Sequence, residues 1–232
     1  MPKTNLVFFK ELDGSVPLLD WLDELAKENQ QAYASCIARI RMLKELGHEL
    51  RRPHADYVTD GIYELRARKG TVQYRILYFF HGQNIAVLAH GLTKEDALPR
   101  ADIERATRRK ALFEAAPERH TSVKEITPMT KKTSDAMQII EDLTKKHGLQ
   151  EEADAAYINA VVAHLIYNAR TEAGLSQQEL GDMIGSTQPT ISRLEDADYD
   201  GHSLSILRRI AVALKKRISI SLLDDKPEKE AA

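Results

Sequence analysis

The sequence predicts two unlike domains. The first is an α+β unit in which a helix hairpin lies on an antiparallel sheet; the second is all-α and closes in a short strand. Three observations carry this expectation. Two amphipathic helices precede a run of strand-like segments, a polar and proline-containing stretch follows, and nearly everything beyond it reads helical. A chain of 232 residues suits one large or two small domains.

In order, LVFFKEL is a short apolar run that reads as a strand. In GSVPLLDWLDELAKEN, Ser15 is placed to cap a helix that Pro17 helps to start, with Leu18, Trp21, Leu22 and Leu25 on one face. Tyr33, Cys36, Ile37, Ile40 and Leu43 form a second apolar stripe that ends at Gly47, a residue suited to the position after a helix. The two helices are expected to pack as a hairpin, with Trp21 and Cys36 in the core. GIYELRARK, TVQYRILYFF and NIAVLAHGL are rich in β-branched and aromatic residues, with glycine-containing turns between them. Strands joined by short connections after a helix pair predict an antiparallel sheet covered on one face. PRADIERATRRKALF supplies a closing helix.

The stretch EAAPERHTSVKEITPMTKKTSD has two prolines and no periodicity, and reads as a linker by composition. The boundaries that follow are 1–115 for the first domain, 116–133 for the linker and 134–232 for the second. Within the seam, Met129 stands where a separate second protein would begin. RISISLLD alternates like a strand, with Ile218, Ile220 and Leu222 on one face, and the tail DDKPEKEAA is too charged to pack.

Composition bounds the function. No run approaches the roughly 20 apolar residues of a membrane span, and the N-terminus becomes charged too soon for a signal peptide. A single cysteine excludes an internal disulfide framework and a CxxC-type metal site. A soluble, cytoplasmic protein with no metal and no cofactor is expected. The first 115 residues hold 18 basic against 16 acidic residues and the remainder 15 against 19, so any nucleic-acid contact must come from local clusters. His48 and His54 lie near Arg51 and Arg52 without the spacing of a metal site, and surface positions are expected for both.

The most specific pattern is RTEAGLSQQELGDMIGSTQPTISRLED, residues 170–196. Ser176 is placed to cap a helix with Leu180 and Ile184 facing inward. Gly181 allows a second helix to cross closely, and Gly185 suits a tight turn. Thr187 then opens a helix that buries Ile191 and Leu194 and leaves Gln188, Thr190, Ser192 and Arg193 outward. Short polar side chains with one arginine are groups that read base edges in the major groove.

This run resembles the helix-turn-helix of the Cro/phage-repressor (XRE) family through Leu175, Ser176, Gln177, Leu180, Gly181, Gly185, Ile191, Ser192 and Glu195, and the likeness covers about 160–223. The resemblance implies that Gln177 touches phosphate and that Gln188, Pro189, Ser192 and Arg193 face bases, with Thr187 and Thr190 beside them. It also implies an internal salt bridge between Arg170 and Glu195.

In the first half, strand alternation puts Glu64, Arg66 and Arg68 on one face, and Arg75 on a face with Leu77 and Phe79. His90 lies on the last strand with Lys94 just beyond. Fixed cations beside one titratable group suit a phosphodiester, because they stabilise charge on phosphate oxygens while that group moves protons. IYELRARKG, QYRILYFF, IAVLAHGLTK and DIERATRR are similar to the RelE/HigB toxin superfamily, in particular its phage-derived Gp49-like branch, over about 5–113. The resemblance implies a metal-independent ribonuclease that cuts mRNA on the ribosome. Arg66 and Arg68 would bind phosphate, Arg75 would stabilise the transition state, His90 or Lys94 would assist proton transfer, and a tyrosine such as Tyr74 would stack on a base. Leu92 stands where the family often has Phe, and Glu95 replaces a basic residue.

HigB-like toxins precede HigA-like antitoxins that carry an XRE domain, and the order here is the same. The expected protein is a toxin and its antitoxin in one chain. The second half would mask the first, in cis or by exchange within a homodimer, and would bind operator DNA to repress its own expression. The alternative is a DNA-binding regulator whose toxin-like half is inactive or targets a protein such as gyrase. The helix from 134 to 146 and the one from Ala153 are expected to contact the toxin half.

Overall fold

The computed structural model describes residues 4–94, 97–126 and 131–220. The first half comprises β1 (Asn5–Phe8), α1 (Pro17–Glu28), α2 (Gln30–Leu46), β2 (Ala55–Thr59), β3 (Ile62–Lys69), β4 (Val72–His81), β5 (Ile85–Lys94) and α3 (Arg100–Ala115). The strands form one sheet in the order β1-β5-β4-β3-β2. Neighbours are antiparallel except β1 and β5, which run parallel. The sheet is therefore mixed rather than antiparallel throughout. Parallel neighbours need a long crossover, and everything from α1 to β4 supplies it.

Helices cover both faces, not one. The α1–α2 hairpin packs on the side of Leu65, Ile76, Tyr78 and Leu88. Helix α3 closes the other side, where Phe113 meets Ile62, Leu77, Phe79 and Val87. Strands buried on both faces read as continuous apolar runs, which is how RILYFF and IAVLA are composed. The edge strand β2 is an addition to the expected set. Its turn into β3 is Asp60-Gly61, both with positive φ (47° and 76°), the preference of a tight hairpin. Ser15 does not cap α1: Val16 holds that position, and the Ser15 hydroxyl donates instead to Asp13.

The second half contains α5 (Ala136–His147), α6 (Gln150–Glu172), α7 (Gln177–Met183), α8 (Gln188–Leu194) and α9 (Leu204–Ala213). Asp135 caps α5 by accepting the Met137 N–H at 2.9 Å, and Gly148 ends it with φ of 67°. As expected, α5 and α6 lie on the first half. Ile139, Ile140, Leu143, Ala153 and Ala160 share one core with Leu22, Ile37 and Leu43. The buried Tyr33 hydroxyl meets Thr144 at 2.8 Å. Asp23 on α1 takes Lys146 at 2.6 Å and His147 at 3.0 Å, contacts that hold its carboxyl far below the usual range.

The stretch 116–133, which reads as a linker, is tied down where it is described. Helix α4 (Pro117–His120) is followed by a bridge from Thr121 to Phe9 and by the hairpin of β6 (Lys124–Ile126) and β7 (Lys131–Thr133). His120 stacks on Phe9 with ring centroids 5.1 Å apart. Met129 and Glu95 lie outside the described residues.

The expected C-terminal strand is absent from 216–220, where Ile218 and Ile220 stay 43% and 64% exposed. An alternating segment becomes a strand only beside another, and among the described residues no strand pairs with it. Residues from 221, including Leu222 and the charged tail, lie outside the described set.

Candidate nucleic-acid interface

The antiparallel register of β3 and β4 sets Arg66 opposite Arg75 and Arg68 opposite Gln73. Glu64 lies between the guanidinium groups, with Arg75 Nε at 3.1 Å and Arg66 Nε at 3.5 Å. Arg75 is buried, and burial pulls its pKa down while Glu64 opposes the shift. These arginines form one wall of a cavity of about 400 Å³, and the opposite wall comes from the second half through Gln177, Ser192, Glu195, Asp196 and Asp198.

Two carboxylates cross this cavity. Asp196 accepts from Arg68 Nη2 at 2.7 Å. Asp198 accepts from Arg39 Nη2 at 3.1 Å, from the Arg68 backbone N–H at 3.1 Å and from the Ser35 hydroxyl. Arg39, only 3% exposed, also donates through Nε to the Arg66 carbonyl at 3.0 Å. Sequence reasoning missed Arg39 and this acidic loop. Arg39 sits in a helix dominated by its apolar stripe, whereas the run EDADYD directly after α8 was a legible signal.

His90 is placed elsewhere. It pairs with Leu77 next to a bulge in β5 and is buried against α3, with Nε2 at 3.4 Å from Asp102. Burial, then Arg109, push its pKa down to about 4 against the pull of Asp102. It does not line the cavity. Lys94 stands opposite Gln73 at the end of β5, half-buried and likewise outside the lining.

Two other expectations are corrected. Tyr74 faces the helix hairpin, buried, with its hydroxyl at 3.3 Å from Asn29, so it offers no ring to a base. His54 is not at the surface but 1% exposed at the cavity, edge-on to His164 of α6 with centroids 5.1 Å apart. Burial pushes its pKa down to about 2, with Arg39 and His164 adding to the shift. Covering by α6, distant in sequence, is what hides it. His48 is exposed and stacks on Phe80.

In the second half, Ser176 caps α7 in a reciprocal box with Glu179. Gly185 has φ of 59° at the turn into α8. A Cβ on Gly181 would stand 3.1 Å from the Thr187 carbonyl carbon, so α7 and α8 cross as closely as expected. Leu180, Ile184, Ile191 and Leu194 pack with Ile166 and Ile210 into a separate small core.

The buried Arg170 grips Glu195 with both prongs, at 2.5 and 2.9 Å, and donates to the Leu175 carbonyl at 2.7 Å. Glu195 raises the Arg170 pKa in return. Gln177 donates to Glu195 at 2.8 Å and accepts from Gln188 at 2.7 Å, so Glu195 holds Gln177, which in turn holds Gln188. Thr187, Pro189, Ser192 and Arg193 are exposed, and Gln177, Gln188 and Thr190 are half-buried. Thr187 and Thr190 share a hydrogen bond of 3.0 Å.

Among the described residues, no helix is long and apolar enough to cross a membrane, and no group of three His, Cys, Asp or Glu side chains is placed to hold a metal ion. No curated protein matches the chain. Residues 20–111 match the family described as phage-derived protein Gp49-like, and residues 166–220 match the helix-turn-helix family. The first half is thus a Gp49-like phage-derived domain and the second carries a helix-turn-helix domain of the repressor type, a pairing that fits a toxin-antitoxin or DNA-binding regulatory protein.

Proposed function

We propose that the chain is a toxin fused to its own antitoxin. The first half is an mRNA endoribonuclease that acts on the ribosome, held inactive by the second half, which also binds operator DNA and represses its own gene. The observation that carries this reading is the acidic loop after α8, whose Asp196 and Asp198 occupy Arg68 and Arg39 beside Arg66 and Arg75. Carboxylates placed there satisfy arginines that would otherwise hold RNA phosphates. Arg66 and Arg68 are assigned to phosphate binding and Arg75 to stabilising the transition state. Lys94 is the nearer of the two proton-transfer candidates, since it stands opposite Gln73, which lines the cavity.

The burial of His90 under α3, outside the cavity lined by Arg66, Arg68 and Arg75, favours a second reading in which the toxin-like half is inactive and the protein is a regulator. Expressing the full chain with Asp196→Asn and Asp198→Asn divides the two. Growth arrest with cut mRNA, suppressed by adding Arg75→Ala, supports the fusion toxin. A folded variant that arrests nothing supports the regulator, and arrest with intact mRNA and damaged DNA supports a gyrase-type target. The recognition surface of α8 serves operator DNA under either reading, with Gln177 on phosphate and Gln188, Pro189, Ser192 and Arg193 toward bases. A homodimer would present two such helices.

A further inference from the structure

We infer that the cavity between β3 and α8 is a second DNA-backbone site, in which Arg66 and Arg68 of the toxin-like half hold a phosphate of the duplex that α8 reads. The inference rests on the DNA-binding reading of α8. Docking of the first half leaves the recognition surface open, for Thr187, Pro189, Ser192 and Arg193 are all exposed. Ser192 and Gln177, both assigned to DNA, line the same cavity as the arginines. A duplex seated on α8 therefore passes beside β3.

Of the four arginines in the lining, Arg39 is committed to Asp198 and Arg75 to Glu64, both at about 3.1 Å. Arg66 and Arg68 differ, with side chains 35% and 60% exposed. Among the described residues, Arg66 has carboxylates only at 3.5 and 3.7 Å. The Arg68 partner, Asp196, is itself 32% exposed. An ion pair open to water contributes little, so exchanging Asp196 for a phosphate costs little. The phosphate brings a full charge, matches the guanidinium fork and releases counterions. The toxin-like half thereby becomes part of the DNA-binding surface.

The test measures binding of the full chain to a mixed-sequence duplex across a salt series. Each phosphate contact contributes about 0.9 to the slope of log affinity against log salt. Arg68→Ala should lower the slope by about 1 and Arg66→Ala/Arg68→Ala by about 2. Arg100→Ala, at a side chain 92% exposed on α3, should leave it unchanged. Asp196→Asn separates a phosphate contact from simple undocking, because it breaks the same ion pair while leaving Arg68 free. Tighter binding by Asp196→Asn supports the site, and weaker or unchanged binding overturns it. An unchanged slope in the double variant, or an equal drop in Arg100→Ala, also overturns it, while a loss of binding in Arg193→Ala shows that the α8 reading stands. If the wild-type chain binds no duplex, both readings fall.

Discussion

Replacing Asp198 by alanine should destabilise the whole chain, because this one carboxylate joins the two halves at their most buried charge. Arg39 and Asp198 are 3.1 Å apart with side chains 3% and 15% exposed. At an effective dielectric of about 20, charges at that distance attract by about 5 kcal/mol. Asp198→Ala strands the Arg39 guanidinium, which keeps only its 3.0 Å bond to the Arg66 carbonyl and already has one nitrogen without a hydrogen-bond partner. Breaking a buried pair from one side costs about 3–5 kcal/mol. Removing both charges in Arg39→Met/Asp198→Ala should recover much of that loss, since no unpaired charge remains. Urea unfolding reads the difference. The fluorescence of Trp21, the single tryptophan, reports on the first half, and circular dichroism reports on the helices of both. A loss below about 1 kcal/mol for the single variant, or a double variant no better than the single, would refute the reasoning.

Two further predictions concern the first half. Gly91 on β5 faces the ring of Trp21 so closely that a Cβ would run into it, so Gly91→Ala should cost about 1–3 kcal/mol by overpacking. Trimming the ring in Trp21→Leu should relieve part of this, as thermal unfolding followed by circular dichroism will show. His90 predicts a pH dependence. Its folded pKa, about 4, lies below its ordinary value of 6.5, so on acidification the unfolded chain takes up the proton first. The stability His90 contributes is complete above pH 6.5 and is lost as pH falls toward 4, by about 3 kcal/mol in all. His90→Gln should lack that increment across the same window, and parallel stability curves for the two proteins would exclude it.

What the sequence discloses follows its locality. The fold of the helix-turn-helix was legible because its local determinants lie close together: Ser176 at the cap, Gly181 at the crossing and Gly185 at the turn; the Arg170–Glu195 pair, 25 residues apart, came from the family resemblance. Alternation alone put Arg66 and Arg68 on one face of β3; their meeting with Arg75 of β4 needed the strand pairing. Alternation carries no information on which strand neighbours which, so the parallel pairing of β1 with β5 was hidden. Long-range contacts were hidden for the same reason. Nothing near Arg39 announces an aspartate 159 residues away, and nothing near His54 announces His164. The bulge at His90 turned a candidate acid-base group into a residue held beneath α3, a one-residue shift that periodicity cannot register. Among the described residues RISIS pairs with no neighbouring strand, an outcome its alternation could not register.

The central claim is that the acidic loop after α8 restrains a ribonuclease. Its most direct test incubates purified full-length chain with translating ribosomes and, separately, with naked mRNA, and maps new 5′ ends by primer extension. The account predicts no cleavage by the wild-type chain, and ribosome-dependent cleavage by Asp196→Asn/Asp198→Asn that disappears when Arg66→Ala and Arg75→Ala are added. A folded, DNA-binding Asp196→Asn/Asp198→Asn chain that leaves ribosome-bound mRNA intact would contradict it.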